Sequence, residues 1–139
     1  MALFENSEEL KDVLYNFFLE LAENTEITEK LIKEKTLIRF NYSEPDLAVT
    51  IDCTQGEKPV VMADNTEVEP ELELWMTADL AHKFWLGKVN LVAAMTLQQM
   101  KVKGPVTKLI MLLPAIAPAY KLYPDYLKRR DLNKYLSDT

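Results

Sequence analysis

One histidine, His82, and one cysteine, Cys53, are the side chains of this 139-residue chain best suited to chemistry near neutral pH. A histidine within reach of a substrate can act as a general base. A thiolate beside a histidine can act as a nucleophile. Neither arrangement is legible here. No histidine or asparagine is tied by spacing to Cys53, whose inward parity in LAVTIDC predicts a buried structural thiol. His82 lies beside Lys83 in TADLAHKFWLG, and the amphipathic pattern predicts a partly exposed helix position. One Cys and one His cannot build a zinc site of several Cys and His ligands, and a single Cys makes no intrachain disulfide. The stretch GKVN, Gly87 to Asn90, lacks the upstream glycine of a phosphate-cradling loop. Carboxylate runs such as EVEPELE read as solvated faces. The expectation is therefore no catalytic residue, no metal and no cofactor: a binder rather than an enzyme.

The other conspicuous chemistry is apolar. LIMLLPAIAPAY, from Leu109 to Tyr120, holds no charge, and YKLYPDYLKRR then turns basic. A membrane-spanning helix needs about 20 apolar residues, and this run is shorter and carries Pro114 and Pro118. Charge is uneven along the chain. Residues 1–100 hold 8 basic and 19 acidic side chains, net −11, whereas residues 101–139 hold 8 basic and 3 acidic, net +5. The total of −6 argues against nucleic acid as a partner, while the basic end could meet an anionic membrane surface. The N-terminus has no basic region followed by a long apolar run, so no signal peptide is expected and the setting reads as cytoplasmic.

These residues need elements to position them. With 48% hydrophobic and 27% charged residues the chain reads as one ordinary globular domain, 1–139. Asn6 with Glu9 predicts a helix start, and Leu10, Val13, Leu14, Phe17, Phe18 and Leu21 recur at helical spacing, giving a helix over 7–24. A shorter helix is expected over 26–33. The period then becomes 2. KTLIRFNY, LAVTIDC, PVVMA and ELELWMT read as strands separated by turns, with Leu72, Leu74 and Met76 inward. Close spacing predicts an antiparallel meander with one wet and one packed face. Thr77 caps the next helix and Gly87 ends it. Asn90 starts a short helix to about Met95, LQQMKV reads as a strand, and Gly104-Pro105 opens a last helix that should end near Pro114. The class is α+β: a five-stranded, mainly antiparallel sheet with helices on one face.

From Thr36 to Ile116 this order resembles the sterol carrier protein type 2 family. LWMTADLAHKFWLGKVNLVAAMTLQQMKVKG carries the resemblance through Thr77, Asp79, Leu80, Gly87, Lys88, Ala94, Lys101, Val102, Lys103 and Gly104. The resemblance implies an apolar cavity between sheet and helices, core 36–116, and a ligand such as a fatty acyl chain, acyl-CoA, a sterol or another lipid. Cavity-lining candidates are Trp75, Met76, Phe84, Trp85, Met95, Met100, Leu109, Leu112, Leu113 and Ile116. Gln98 stands where the family often has glycine, and parity with Met100 and Val102 predicts that it points inward as a polar contact or pairs with backbone. Lys121, Lys128, Arg129, Arg130 and Lys134, in a basic tyrosine-rich tail over 119–139, are candidate contacts to membrane or a partner. The alternative to a lipid carrier is an interaction module. In it the apolar run and Tyr120, Tyr123, Tyr126 and Tyr135 form a protein interface, such as a homodimer's.

Overall fold

The structure, a computed structural model, describes residues 2–136. The expected N-terminal helix is a rod of three parts: α1 (Ser7–Leu10), a π-helical turn (Lys11–Tyr15) and α2 (Asn16–Ala22). Asn6 accepts from the Glu9 amide at 2.8 Å, and Glu9 accepts in turn from the Glu5 amide at 3.3 Å. Asn24 lies beyond the rod and caps α3 (Thr25–Lys33) through the Ile27 amide. Its short polar side chain satisfies a helix-start donor better than it would continue the preceding helix.

Strands β1 (Leu37–Ser43), β2 (Leu47–Asp52), β3 (Val60–Ala63), β4 (Leu72–Thr77) and β5 (Lys101–Lys103) form one sheet in the order β3-β2-β1-β4-β5. Three pairings are antiparallel, but β1 and β4 run parallel, Phe40 opposite Leu74. The sheet is thus mixed rather than a meander. Residues 64–71 carry the chain from the β3 edge across to the far side of β1. They pass over the face expected to be wet, and Arg39 fastens them there. Its Nε donates to Thr50 Oγ1 at 2.9 Å and its Nη2 to the Val68 carbonyl at 2.5 Å. Arg39, Thr50 and Asp52 are accordingly buried.

The opposite face carries the helices. Ile38, Phe40, Tyr42, Leu47, Val49, Leu72, Leu74 and Met76 are all buried there, as period-2 alternation requires. Thr77 and Asn90 cap α4 (Ala78–Trp85) and α5 (Leu91–Thr96) through their side chains. The expected late strand is shorter than predicted. Leu97 to Gln99 form the turn that ends α5, and β5 holds only three residues. Gly104 is irreplaceable where β5 meets the start of α6 (Val106–Ile116). Its φ is +112°, and a Cβ there would collide with the Glu71 carbonyl oxygen.

Pro114 lies inside α6 and the helix runs on to Ile116; Pro118 makes the break instead, preceding α7 (Ala119–Arg129). A proline removes one N–H and crowds one turn, and at the exposed Pro114 position that cost does not stop a helix held by packing on its other side. Helix α7 contains Pro124 and is followed by a 3₁₀ turn, Asn133–Tyr135. This segment is no surface tail. Tyr123, Tyr126, Leu127 and Tyr135 are fully or almost fully buried. Among the described residues no helix is long and apolar enough to cross a membrane.

Candidate functional site

An apolar void of about 60 Å³ lies between the sheet and helices α2, α3, α4, α5 and α6. Its floor is the helix-bearing side of the sheet, with Ile38 and Phe40 from β1, Ile51 from β2, Val61 from β3, and Leu74 and Met76 from β4. Phe18, Leu21 and Ala22 of α2 and Ile27, Thr28 and Leu31 of α3 close one side. Phe84 and Trp85 of α4, Leu91 of α5 and Met100 supply the next. Leu109, Leu112, Leu113 and Ile116 of α6 form the roof. These four recur at i, i+3, i+4 and i+7, one stripe of the helix. Ile110 and Met111 fall on the other side and remain 41% and 43% exposed. No charged side chain of the described residues touches the void. Thr28, Thr36 and Trp85 contribute to the wall through carbon, and no polar atom of the described residues is exposed to the void.

Of the residues singled out from the sequence, Met76, Phe84, Trp85, Met100, Leu109, Leu112, Leu113 and Ile116 line the void. Trp75, Met95 and Gln98 do not. Trp75 alternates with the inward Leu74 and Met76, so it stands on the opposite face, with the Lys101 ammonium 5.3 Å from its ring centre. Met95 and Gln98 border a shallow surface hollow beside β5. Gln98 is exposed with φ +60°, because the chain turns left-handed there to close α5, its amide bonding the Met95 carbonyl at 3.1 Å. Parity with Met100 fails because residue 98 is not in the strand. The sequence does not single out the wall residues from α2, α3 and β1, Thr36 among them. Their signal is the inward stripe of Phe18, Leu21 and Ile27, which does not distinguish solid core from a wall.

Thr36 is 1% exposed. Its amide donates to the Leu31 carbonyl at 3.0 Å and its carbonyl accepts from the Cys53 amide at 2.7 Å. Its hydroxyl has no hydrogen-bond partner among the described residues. A buried hydroxyl left so costs about 1–3 kcal/mol. The Tyr42 hydroxyl is the other such group, but Tyr42 does not line the void. Burial raises the Tyr42 phenol's pKa; the neighbouring Trp85 side chain pulls it back only in part, and no hydrogen bond of normal geometry joins the two. Cys53 is buried as expected, and desolvation, helped by the Asp52 charge, pushes its thiol up to about 11.

His82 is 0% exposed, not a surface position. Nε2 lies 2.7 Å from the Tyr135 carbonyl and Nδ1 2.7 Å from the Tyr123 hydroxyl. A carbonyl can only accept, so Nε2 carries a proton. Nδ1 is met by the Tyr123 hydroxyl, which can donate or accept. The sequence placed His82 outside because α7 and the 3₁₀ turn that cover it lie 41 and 53 residues away. Around it Phe4 stacks on Tyr135 at 4.9 Å, and Phe17 meets Tyr123 at 4.7 Å and Tyr126 at 5.1 Å. The Tyr126 hydroxyl donates to the Val13 carbonyl at 2.7 Å in the π-helical turn. The Tyr135 hydroxyl donates to Glu9, and that bond is the main reason the Glu9 carboxyl is held below its usual pKa. Burial drives the Tyr123 phenol well upward. These groups bind one another rather than facing a cleft, and the interface role considered for Tyr123, Tyr126 and Tyr135 does not survive their burial.

The basic residues are also largely engaged. Arg129 pairs with Glu20 at 2.7 Å and Asp125 at 3.0 Å, Arg130 with Asp12 at 3.3 Å, and Lys134 with Glu9 at 3.7 Å. Lys121 and Lys128 are exposed. Among the described residues no group of three or more His, Cys, Asp or Glu side chains is arranged to hold a metal.

No model of a known protein family matches the chain, and no curated protein matches its sequence. Solved structures do match. The sterol carrier protein domain 2 of Helicoverpa armigera superposes with a TM-score of 0.65 at 21% identity, over 86% of this chain and 96% of that one. A conserved hypothetical protein of Thermus thermophilus, described as possibly a sterol carrier protein, superposes at 0.61 with 16% identity over 90% of each chain. Sterol carrier protein 2 of Yarrowia lipolytica in its apo form superposes at 0.55 with 19% identity, over 83% of this chain and 89% of that one. With its mixed five-stranded sheet, helices on one face and the void between them, the chain has the fold of the sterol carrier protein 2 domains.

Proposed function

We propose that this protein binds, and transfers without catalysis, an apolar ligand held between the sheet and α6. The observation that carries the reading is the uncharged wall of the void, in a fold whose neighbours named as sterol carrier proteins support a lipid ligand. Residues 1–139 are read as a single domain of that kind, in a cytoplasmic setting. A void of about 60 Å³ holds roughly two waters' worth of volume, too little for an acyl chain as it stands. Binding therefore widens it. Helix α6 is the element suited to move. It lacks a side-chain N-cap, carries Pro114, and contributes a roof of four aliphatic side chains. Transfer would bring the exposed Lys121 and Lys128 toward anionic headgroups, while Arg129, Arg130 and Lys134 are held by carboxylates.

The test is displacement of a fluorescent acyl probe by natural lipids, alongside mass spectrometry of an organic extract of the purified protein. Replacing the half-buried roof residue Leu113→Trp fills the void with ring atoms and is expected to leave a folded protein that binds the probe at least tenfold more weakly. If the wild type neither takes up the probe nor carries lipid, the proposal falls. The interaction-module reading retains one supporting observation, the exposed Ile110 and Met111 on the outer side of α6. A stable dimer in light scattering that loses its partner on Ile110→Glu would favour it.

A further inference from the structure

The outer side of α6 lacks what a water-facing helix surface normally carries. Thr107, Ile110, Met111 and Pro114 recur there at i, i+3, i+4 and i+7, opposite the roof stripe, and all four are exposed. None is charged. The helix's one charged residue, Lys108, is turned aside: it donates to the Glu34 carbonyl at 2.8 Å and pairs with Glu71 at 2.6 Å. The apolar surface continues past the helix start. Val106 lies one turn before Ile110 and borders the shallow hollow beside β5 with Met95, which lies one turn from Val92 on α5. Val92 and Leu97 are 49% and 67% exposed. The charge around this surface has one sign. From Leu80 to Pro124 the chain has six lysines and no aspartate or glutamate, although its total charge is −6. Among the described residues Lys108 is the only one of the six in an ion pair. Lys101 and Lys103 stand exposed on β5, just before α6 begins. Lys88 and Lys121 stand exposed beyond its other end, brought near each other because Gly87 lies against the Tyr120 side chain.

We infer that this face, the outer stripe of α6 with the α5 end and β5 beside it, docks on an anionic lipid bilayer. Ile110 and Met111 enter among the headgroups, and Lys88, Lys101, Lys103 and Lys121 meet lipid phosphates and carboxylates from both ends of the stripe. Charge complementarity selects this occupant. An anionic surface repels the acidic body and attracts the acid-free stretch, which orients the approach. A second copy of this chain fits less well, because pairing the face with itself sets lysines against lysines. The inference deepens the lipid-transfer reading and rests on it for its purpose. The inner side of the same helix roofs the void, so the element that must shift to admit a ligand is the one in contact with the bilayer.

Cosedimentation of the full chain with vesicles of phosphatidylcholine, alone or mixed with phosphatidylserine, tests the docking. Wild type is expected to bind the serine-containing vesicles about tenfold or more tightly, and to release them as salt rises. The double variant Ile110→Ser/Met111→Ser changes exposed positions only, so its melting temperature should hold while its affinity for those vesicles falls about tenfold or more. Lys101→Gln/Lys103→Gln should cost about tenfold as well. Lys11→Gln/Lys58→Gln removes the same charge at the opposite edge of the sheet and should cost less than about threefold. Lys58 precedes β3 there, and Lys11 lies on the π-helical turn whose Tyr15 hydroxyl donates to the Val61 carbonyl of β3. All three variants should take up the fluorescent acyl probe as wild type does when no vesicles are present. Equal losses from the two lysine pairs would mean a diffuse attraction and would overturn the docking face. So would a wild type that takes up the probe but binds no vesicle, which leaves the lipid site standing. A dimer that Ile110→Ser/Met111→Ser abolishes, without vesicle binding, would give the face to a second copy instead. Vesicle binding with the expected losses but no probe uptake would uphold the docking face and overturn the carrier reading.

Discussion

Phe17 and Phe18 are neighbours on α2, both buried, and they face two different interiors. Phe17 meets Tyr123, Tyr126 and Trp85, on the side where α1, α2, α4 and α7 close around His82. Phe18 packs on Phe40 and lines the void beneath α6. On the first side the polar atoms of His82, Tyr123, Tyr126 and Tyr135 are all hydrogen-bonded, and none of these residues touches the void. On the second side the wall has no charge, and the Thr36 hydroxyl buried behind it lacks a partner among the described residues. The contrast shows how one small domain can be rigid and hollow at once. Aromatic rings with bonded hydroxyls fix one set of helices, so the other set can enclose space without the fold losing its unique arrangement.

Deleting side chains should expose that difference most. Tyr123→Ala removes a fully buried ring and its bond to His82 Nδ1, so a loss of about 4 kcal/mol is expected in denaturant unfolding. Leu112→Ala on the roof is expected to cost less, about 2–3 kcal/mol, because a wall side chain already lacks packing partners on one side. Equal losses would erase the distinction between solid and hollow halves.

A gentler comparison removes single hydroxyls. Tyr123→Phe takes away the hydroxyl bonded to His82 and should cost about 1–3 kcal/mol, whereas Tyr42→Phe, at a buried hydroxyl without a partner among the described residues, should change stability by less than about 0.5 kcal/mol or raise it. If both cost the same, Tyr42 is bonded after all and the polar accounting of the two sides converges.

The smallest effect should come from alkali. Cys53 has its folded pKa raised from 9.0 to about 11, and burial raises Tyr42 and Tyr123 as well. A folded state that holds its proton more tightly than the unfolded chain is stabilised below the unfolded pKa and loses that advantage as pH rises. Melting temperature should therefore be flat through neutrality and decline from about pH 9 upward, and Cys53→Ala should blunt the first part of the decline. Thiol labelling of native protein should be slow at pH 8 and rise with denaturant. Rapid labelling without denaturant would show that the hollow side opens readily near β2.

Much of the fold was legible because it rests on local rules. Asn6, Thr77 and Asn90 marked helix starts through short polar side chains, and alternation through β1, β2 and β4 assigned the helix-bearing face. The apolar stripe of α6 pointed to the roof. The misreadings have separate causes. Gln98 reads as inward only if a strand period is extended through residues that form a turn. Trp75 joins the cavity group by its chemistry rather than by its parity. His82 falls outside because the buried tyrosines that bond it belong to a segment whose surface bears Lys121, Lys128 and Arg129 and so looks like a tail.

Local patterns in the chain were enough to establish the α+β class, the helix starts and the apolar stripe of each element, because caps and periodicity act over a few residues. Other features depend on contacts between distant segments: the parallel pairing of β1 with β4, the packing of the basic end through Tyr123 and Tyr126, and the apolar void between the sheet and α6. Such contacts are selected by the whole packing arrangement, and no local pattern encodes which surfaces meet or where they leave a gap.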